Sequence, residues 1–142
     1  GRQAVSMRES WRDGPRCYLG VMPSGFPNLF TITGPGSPSA LSNVIKSIEQ
    51  HVDFVAECIT RVRDNGDETV EATAEAEADW IAHVDEIASQ TVLKSCNSWY
   101  LGSNIPGKPR VFTAYVGWPE YDAELNEVVA DDYRGFNFGK VG

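Results

Sequence analysis

A helical repeat of apolar residues is the feature that most constrains this fold. Between residues 44 and 62, apolar side chains recur at spacings of three and four, the period of one helix face. Ser42 or Asn43 can cap the start of this helix, and Asn65 with Gly66 can end it. The stripe consists of Val44 or Ile45, Ile48, Val52, Val55, Ile59 and Val62.

A buried strand is predicted just before this helix. Leu29 to Thr33 is β-branched and aromatic, and turn-forming residues flank it on both sides. The connection from Gly34 to Ser42 is longer than a strand–helix turn needs, so we expect it to shape a site. Further helices are predicted at about 73–89 and 121–130, with strand-like segments at 111–116 and 133–138. The predicted fold class is α/β, in one unit of 142 residues.

Charge and cysteine usage exclude several classes of function. The net charge is −8, and residues 64–90 hold nine acidic groups and no Lys or Arg. A solvated helix face explains this stretch better than a docking site, and such a surface repels nucleic acid. No apolar run reaches the length of a membrane span. Cys17, Cys58 and Cys96 form no C-x-x-C pair, which favours free thiols in a reducing compartment, the cytoplasm.

The turn GPGSPS at 34–39 lies where a dinucleotide-binding loop could be, but it fails the fingerprint. Ser39 stands where G-x-G-x-x-G requires its third glycine, and two prolines remove backbone N–H donors. The turn can still present the start of a helix, near residues 40–44, to an electron-rich group. A proline-stiffened loop without a ligand remains the alternative.

Neither histidine forms a convincing catalytic or metal set. His83 shares a helix face with Asp79 and Glu86, but no second histidine-bearing element accompanies it, so a solvated or ion-paired role is favoured. His51 has no Cys or Asp arranged for nucleophilic work and is interpreted as structural. We therefore predict no metal site and assign no catalytic residue.

The loop at 98–110 combines two large aromatic residues, an amide and two cations among Gly and Pro. Loops of this kind often carry function because the scaffold leaves their side chains available. The alternative is that Trp99 anchors the loop while Lys108 and Arg110 are solvated.

Several stretches of the chain resemble type I Baeyer–Villiger monooxygenases of the phenylacetone and cyclohexanone type. The resemblance covers nearly the whole chain, in order and at similar spacing. It is carried by GFPNLF at 25–30, GPGSPSALSN at 34–43, SIEQHV at 47–52, AEADW at 76–80, HVDEIA at 83–88, SWY at 98–100, NIPGKPR at 104–110, EVVA at 127–130 and YRGF at 133–136.

The resemblance implies an enzyme that uses FAD and NADPH to insert one atom of O₂ beside a ketone carbonyl, giving an ester or lactone. Residues 1–142 resemble the C-terminal segment of a Rossmann-like FAD domain, with a strand–helix unit, further helices and a loop-rich segment. It implies a substrate pocket formed by Ser39, Ala40, Leu41 and Val44. It also implies cofactor contacts at Ser42, Asn43, Val44, Trp99 and Lys108, with Trp99 on a mobile loop over the NADP ribose.

No complete dinucleotide-binding motif occurs in these residues. The implied partners are therefore a small ketone, O₂ and upstream FAD and NADP domains, and we do not expect this chain to be active alone. The alternative is a non-catalytic α/β remnant or interaction module that keeps the family sequence. A stand-alone hydrolase is excluded, since no Ser–His–acid arrangement has a motif context.

Overall fold

The computed structural model describes residues 1–38, 42–95 and 97–141. Helices dominate, and the strands are short. Short 3₁₀ turns lie at Arg2–Ala4, Val92–Ser95 and Trp99–Leu101. The helices and strands in chain order are α1 (Met7–Ser10), β1 (Ser37–Pro38), α2 (Val44–Asp64), β2 (Thr69–Ala72), α3 (Ala74–Ser89), β3 (Ala114–Tyr115), α4 (Trp118–Ala130) and β4 (Phe136–Gly139). This mixture confirms the α/β prediction.

The strands form two separate pairs. β1 and β3 are parallel, with Ser37 opposite Ala114. β2 and β4 are antiparallel, with Val70 opposite Phe138. Each pair joins segments far apart in the chain, so the pairs tie its beginning and middle to its end.

The strand predicted at 29–33 is wrong. Asn28 and Thr33 have φ angles of 61° and 51°, in the left-handed region, which breaks an extended run at both ends. Thr31 still donates its N–H to the Val21 carbonyl, but no ladder forms. The strand that precedes α2 is β1, eight residues later in the turn.

Helix α2 has the predicted ends but buries an unexpected face. The Asn43 side chain accepts hydrogen bonds from the N–H groups of Ile45 and Lys46, and Asn65 caps the other end. The helix buries Ser47, His51, Phe54 and Cys58. Most of the apolar stripe lies outside, with exposed fractions of 69% at Ile45, 39% at Ile48, 50% at Val52 and 53% at Ile59.

An aromatic core joins the three longer helices. Trp80 of α3 stacks on Tyr115 of β3 with ring centroids 5.2 Å apart, and Tyr121 of α4 packs against both rings. Trp80 and Val84 of α3 are buried. Large aromatic rings bury much apolar area, so this cluster contributes a major share of the stability.

Buried Glu77 anchors the N-terminal segment to α3. Its carboxylate accepts hydrogen bonds from Arg16 Nε at 2.9 Å and from both the N–H and the hydroxyl of Ser24 at 3.0 Å. A buried carboxylate is tolerated because its oxygens are paired in this way. The segment that carries Cys17 to Met22 is thereby fixed in the core.

The exposed stripe of α2 leads us to expect that this chain associates when expressed by itself. Apolar patches of this kind promote contact between molecules. Replacing Ile48 and Ile59 with Lys should lower the apparent mass measured by sedimentation. Val92→Lys is the matched control, because Val92 is 76% exposed but lies outside the stripe. A wild-type chain that remains a monodisperse monomer would contradict this expectation.

Stability should also depend on pH through His51, which is fully buried. Burial lowers the pKa of His51 from 6.5 to about 4. Because the unfolded chain takes up this proton first, the stabilisation present above pH 6.5 is lost as the pH falls toward 4, by up to roughly 3 kcal/mol. Urea unfolding between these pH values should show a steeper loss in wild type than in His51→Gln. Equal slopes for the two proteins would exclude His51 as the titrating group.

Candidate functional site

A cavity of about 400 Å³ opens between the turn before α2, the start of α2 and the loop around Trp99. Its described lining has small, apolar and aromatic side chains and few polar atoms, which is the usual character of a small-molecule site. The lining residues are Pro15, Thr33, Gly34, Pro35, Ser37, Pro38, Val44, Trp99, Tyr100, Thr113 and Ala114.

The turn at 34–38 uses its own backbone donors to hold the fold together. Gly34 donates its N–H to the Gly20 carbonyl at 3.0 Å, and Gly36 donates to Thr113 at 2.8 Å. Ser37 donates to Gly34 at 3.1 Å, and the prolines have no N–H. No amide of this turn is left to cradle a phosphate, which agrees with the failed dinucleotide fingerprint.

Gly36 is required by its surroundings. Its φ angle is 84°, and a Cβ at this position would lie 2.9 Å from the indole nitrogen of Trp80. That indole donates a hydrogen bond to the Gly36 carbonyl at 3.1 Å. The close approach of α3 beneath the turn thus depends on the missing side chain.

One of the four residues predicted to form a substrate pocket, Val44, lies in the described part of the chain. Val44, the first residue of α2, lines the cavity. Ser42 is half-buried, and Asn43 is exposed with its side-chain oxygen capping the helix. Ser39, Ala40 and Leu41 lie outside the described residues, directly after Pro38 of the cavity wall.

Trp99 lies across the same cavity from the start of α2. Its side chain is 66% exposed and stacks on Tyr100 with ring centroids 4.1 Å apart. The indole N–H makes no hydrogen bond with the residues that the structure describes. The structure therefore brings Val44 and Trp99, predicted from segments 55 residues apart, to one cavity.

Lys108 lies apart from that cavity. Its ammonium donates to the carbonyl groups of Trp11 and Arg12 at 3.2 and 3.3 Å, at the end of α1. A cation is favourable there because the carbonyls at a helix end carry partial negative charge. Lys108 and Trp99 also line a second cavity of about 490 Å³ between α1 and the loop. The cofactor contact expected of Lys108 stays a prediction.

His83 has a hydrogen-bond partner in the fold. Its Nε2 lies 3.2 Å from the Tyr115 hydroxyl.

Among residues 1–38, 42–95 and 97–141, no group of three His, Cys, Asp or Glu side chains could hold a metal ion. Within the same ranges, no helix is both long and apolar enough to cross a bilayer.

Sequence reasoning missed the residues that support the turn from below. The Thr33 N–H donates to Nδ1 of His51, and Trp80 holds Gly36. Thr113, also unassigned from sequence, accepts from Gly36 through its carbonyl and donates its N–H to Tyr100. These partners are 13 to 77 residues apart in the chain, so no local motif could reveal them.

No protein-family model matches the chain. Among curated proteins it is 40% identical over 139 residues to an acetone monooxygenase (methyl acetate-forming) of Gordonia sp. (strain TY-5), which covers 96% of this chain and 26% of that protein. It is 38% identical over 134 residues to a Baeyer–Villiger monooxygenase of Pseudooceanicola batsensis, with coverage of 94% and 24%. Cyclohexanone monooxygenase from Rhodococcus sp. Phi1, solved bound to NADP⁺, superposes with a TM-score of 0.94 at 34% identity, over 99% of this chain and 26% of that one. The chain is thus similar in sequence and in fold to part of a Baeyer–Villiger monooxygenase.

The predicted resemblance to the C-terminal part of such monooxygenases is therefore confirmed. The chain spans about a quarter of the length of the relatives that it matches. The TM-score means that the backbone of this chain, taken as a whole, follows the matching quarter of a cyclohexanone monooxygenase solved with NADP⁺.

Proposed function

We propose that this chain supplies walls of the substrate pocket and the nicotinamide-side lid of an FAD- and NADPH-dependent monooxygenase. The complete protein inserts one oxygen atom of O₂ beside a ketone carbonyl and gives an ester or lactone. The observation that carries the proposal is the cavity shared by Val44 and Trp99. The relatives' names, acetone monooxygenase among them, support ketone chemistry.

The described residues fit one end of these cofactors. The start of α2 carries partial positive charge beside Val44 and can face the electron-rich edge of a flavin ring. The indole N–H of Trp99 can donate to a ribose hydroxyl. The pyrophosphate is bound elsewhere, since the amides of the 34–38 turn are already used. Bound FAD, reduced by NADPH, supplies the electrons that activation of O₂ requires.

Two residues of this chain have separate roles in the proposal. Val44 limits the size of the ketone, because it lines the cavity from the first turn of α2. Trp99 closes the cavity and excludes water, since its Gly- and Pro-rich loop can move with little repacking. Neither residue exchanges a proton with the substrate.

Val44→Ala should change which ketones the complete protein prefers. The substitution removes two methyl groups, each worth about 0.8 kcal/mol of apolar contact, so preference between a small and a bulky ketone should shift by about tenfold. The measurement is kcat/KM for acetone and for a cyclic ketone, alongside the rate of flavin reduction by NADPH. Val62→Ala, at the far end of α2, is the matched control. Slower flavin reduction with unchanged ketone preference would exclude Val44 from the substrate pocket.

Trp99→Phe should weaken NADPH binding and lower the yield of ester per NADPH consumed. Phenylalanine can keep the stacking on Tyr100 but has no N–H, so one hydrogen bond of roughly 0.5–1.5 kcal/mol is lost, about threefold to tenfold in affinity. Trp99→Ala also removes the stack and should uncouple NADPH oxidation further, with release of hydrogen peroxide.

The same assays on Trp118→Phe provide the control, since that side chain lies on α4 against Tyr121 and not at the cavity. If both Trp99 variants bind NADPH and couple its oxidation as wild type does, but lose thermal stability, Trp99 is only an anchor of its loop. If the complete protein, wild type included, oxidises no ketone, the monooxygenase proposal itself is wrong and the non-catalytic alternative stands.

A further inference from the structure

A continuous line of hydrogen bonds runs beneath the cavity through two fully buried side chains. The Thr33 N–H donates to Nδ1 of His51 at 2.9 Å. Nδ1 must therefore offer a lone pair, so the neutral ring carries its proton on Nε2. Nε2 lies 2.5 Å from the Tyr121 hydroxyl, which in turn donates to the Leu19 carbonyl at 2.7 Å. Each group in the line has one defined direction.

Both ends of this line are residues in an unfavourable backbone conformation. Leu19 has a φ angle of 54° and Thr33 one of 51°. The left-handed region is disfavoured for side chains of this bulk, above all for a β-branched one. Such residues persist only where surrounding contacts hold them, and they cluster at ligand sites.

Leu19 and Thr33 belong to two neighbouring strips of chain, 19–20 and 33–34. The strips are joined by a hydrogen bond from the Gly34 N–H to the Gly20 carbonyl. Thr33 and Gly34 line the cavity, whereas His51 and Tyr121 do not. A change at either buried ring can therefore reach the cavity wall through the backbone of these two strips, 19–20 and 33–34.

We propose that His51 and Tyr121 are positioning residues, which set the place of the cavity wall at 33–38 and through it the fit of the substrate. The inference rests on the proposed function for its substrate but not for its geometry. His51 belongs to α2 and Tyr121 to α4, so the pair locks the wall to both helices at once. Their rings have exposed fractions of 0%, and neither touches the substrate.

Tyr121→Phe in the complete protein tests the pair, because it keeps the ring and removes the hydroxyl that links His51 to Leu19. We expect backbone hydrogen exchange, measured by mass spectrometry, to become about threefold to tenfold faster in peptides that cover 31–38. We expect KM for the ketone to rise by a similar factor, while flavin reduction by NADPH keeps its rate. Tyr133→Phe is the matched control. Tyr133 is also buried, with an exposed fraction of 7%, but its hydroxyl makes no hydrogen bond with the described residues.

Substitutions at His51 separate the two bonds of the ring. Asparagine places its amide near the position of Nδ1 and can still accept from Thr33, whereas glutamine reaches the position of Nε2 and can bond only to Tyr121. Exchange at 31–38 should therefore be faster in His51→Gln than in His51→Asn. The comparison holds even if both variants are less stable than wild type, because it depends on their order.

The outcomes are distinct. Faster exchange at 31–38 with a raised ketone KM in Tyr121→Phe, and neither change in Tyr133→Phe, supports the proposal. Exchange at 31–38 that is the same in Tyr121→Phe and Tyr133→Phe overturns it. Faster exchange with unchanged KM and unchanged ketone preference in an active enzyme also overturns it, because the wall then does not contact the substrate. If wild type oxidises no ketone, the exchange data still decide the geometry, and it is the proposed function that fails.

Discussion

One turn, held from below by side chains of three helices, determines the shape of the cavity. His51 of α2 binds the Thr33 N–H, Trp80 of α3 binds the Gly36 carbonyl, and Tyr121 of α4 reaches the adjoining strip at Leu19. The bonds of Trp80 and Tyr121 are buried and that of His51 is partly buried. Leaving a buried partner unpaired costs about 1–3 kcal/mol. The turn therefore cannot move without breaking a bond to a helix.

Features that depend on neighbouring residues were predictable from the sequence. The cap at Asn43 and the end of α2 at Asn65 follow from side-chain and backbone preferences that act within a few residues. The composition of 29–33 favours a strand, but no strand forms there. Tertiary contacts hold Asn28 and Thr33 at positive φ angles, which an extended strand does not allow. The β2–β4 pair could not be foreseen, since its partners Val70 and Phe138 are far apart in the sequence. The site shows the same division. Val44 and Trp99 were predicted from the resemblance of local segments, whereas the hydrogen bond between His51 and Tyr121 became visible only in the folded structure.

The apolar stripe of α2 shows why periodicity alone does not identify the buried face. Ser47, His51 and Cys58 are less apolar than Ile45 or Ile59, yet they face the core. A helix that is apolar on one side and lined by small or polar residues on the other can be buried on both sides in a larger assembly. The exposed stripe of α2 is therefore an apolar surface that favours contact with other protein.

The composition of the cavity indicates what this chain contributes and what it does not. Among the described lining residues there is no carboxylate, imidazole or amine, and Tyr100 is the only ionisable side chain. Catalysis that needs a carboxylate, an imidazole or an amine must therefore draw on groups outside this lining. In the function that we propose, the walls of the cavity and the Trp99 indole control its shape and exclude water. His51, which is buried and does not line the cavity, also acts as a neutral group. Its pKa is lowered by burial, so it stays neutral at physiological pH and keeps the one tautomer that can join Thr33 to Tyr121. A protonated ring could no longer accept from Thr33, and the wall would lose a support from α2. His51 and Tyr121 thus act on the geometry of the cavity wall without adding polar atoms to the lining.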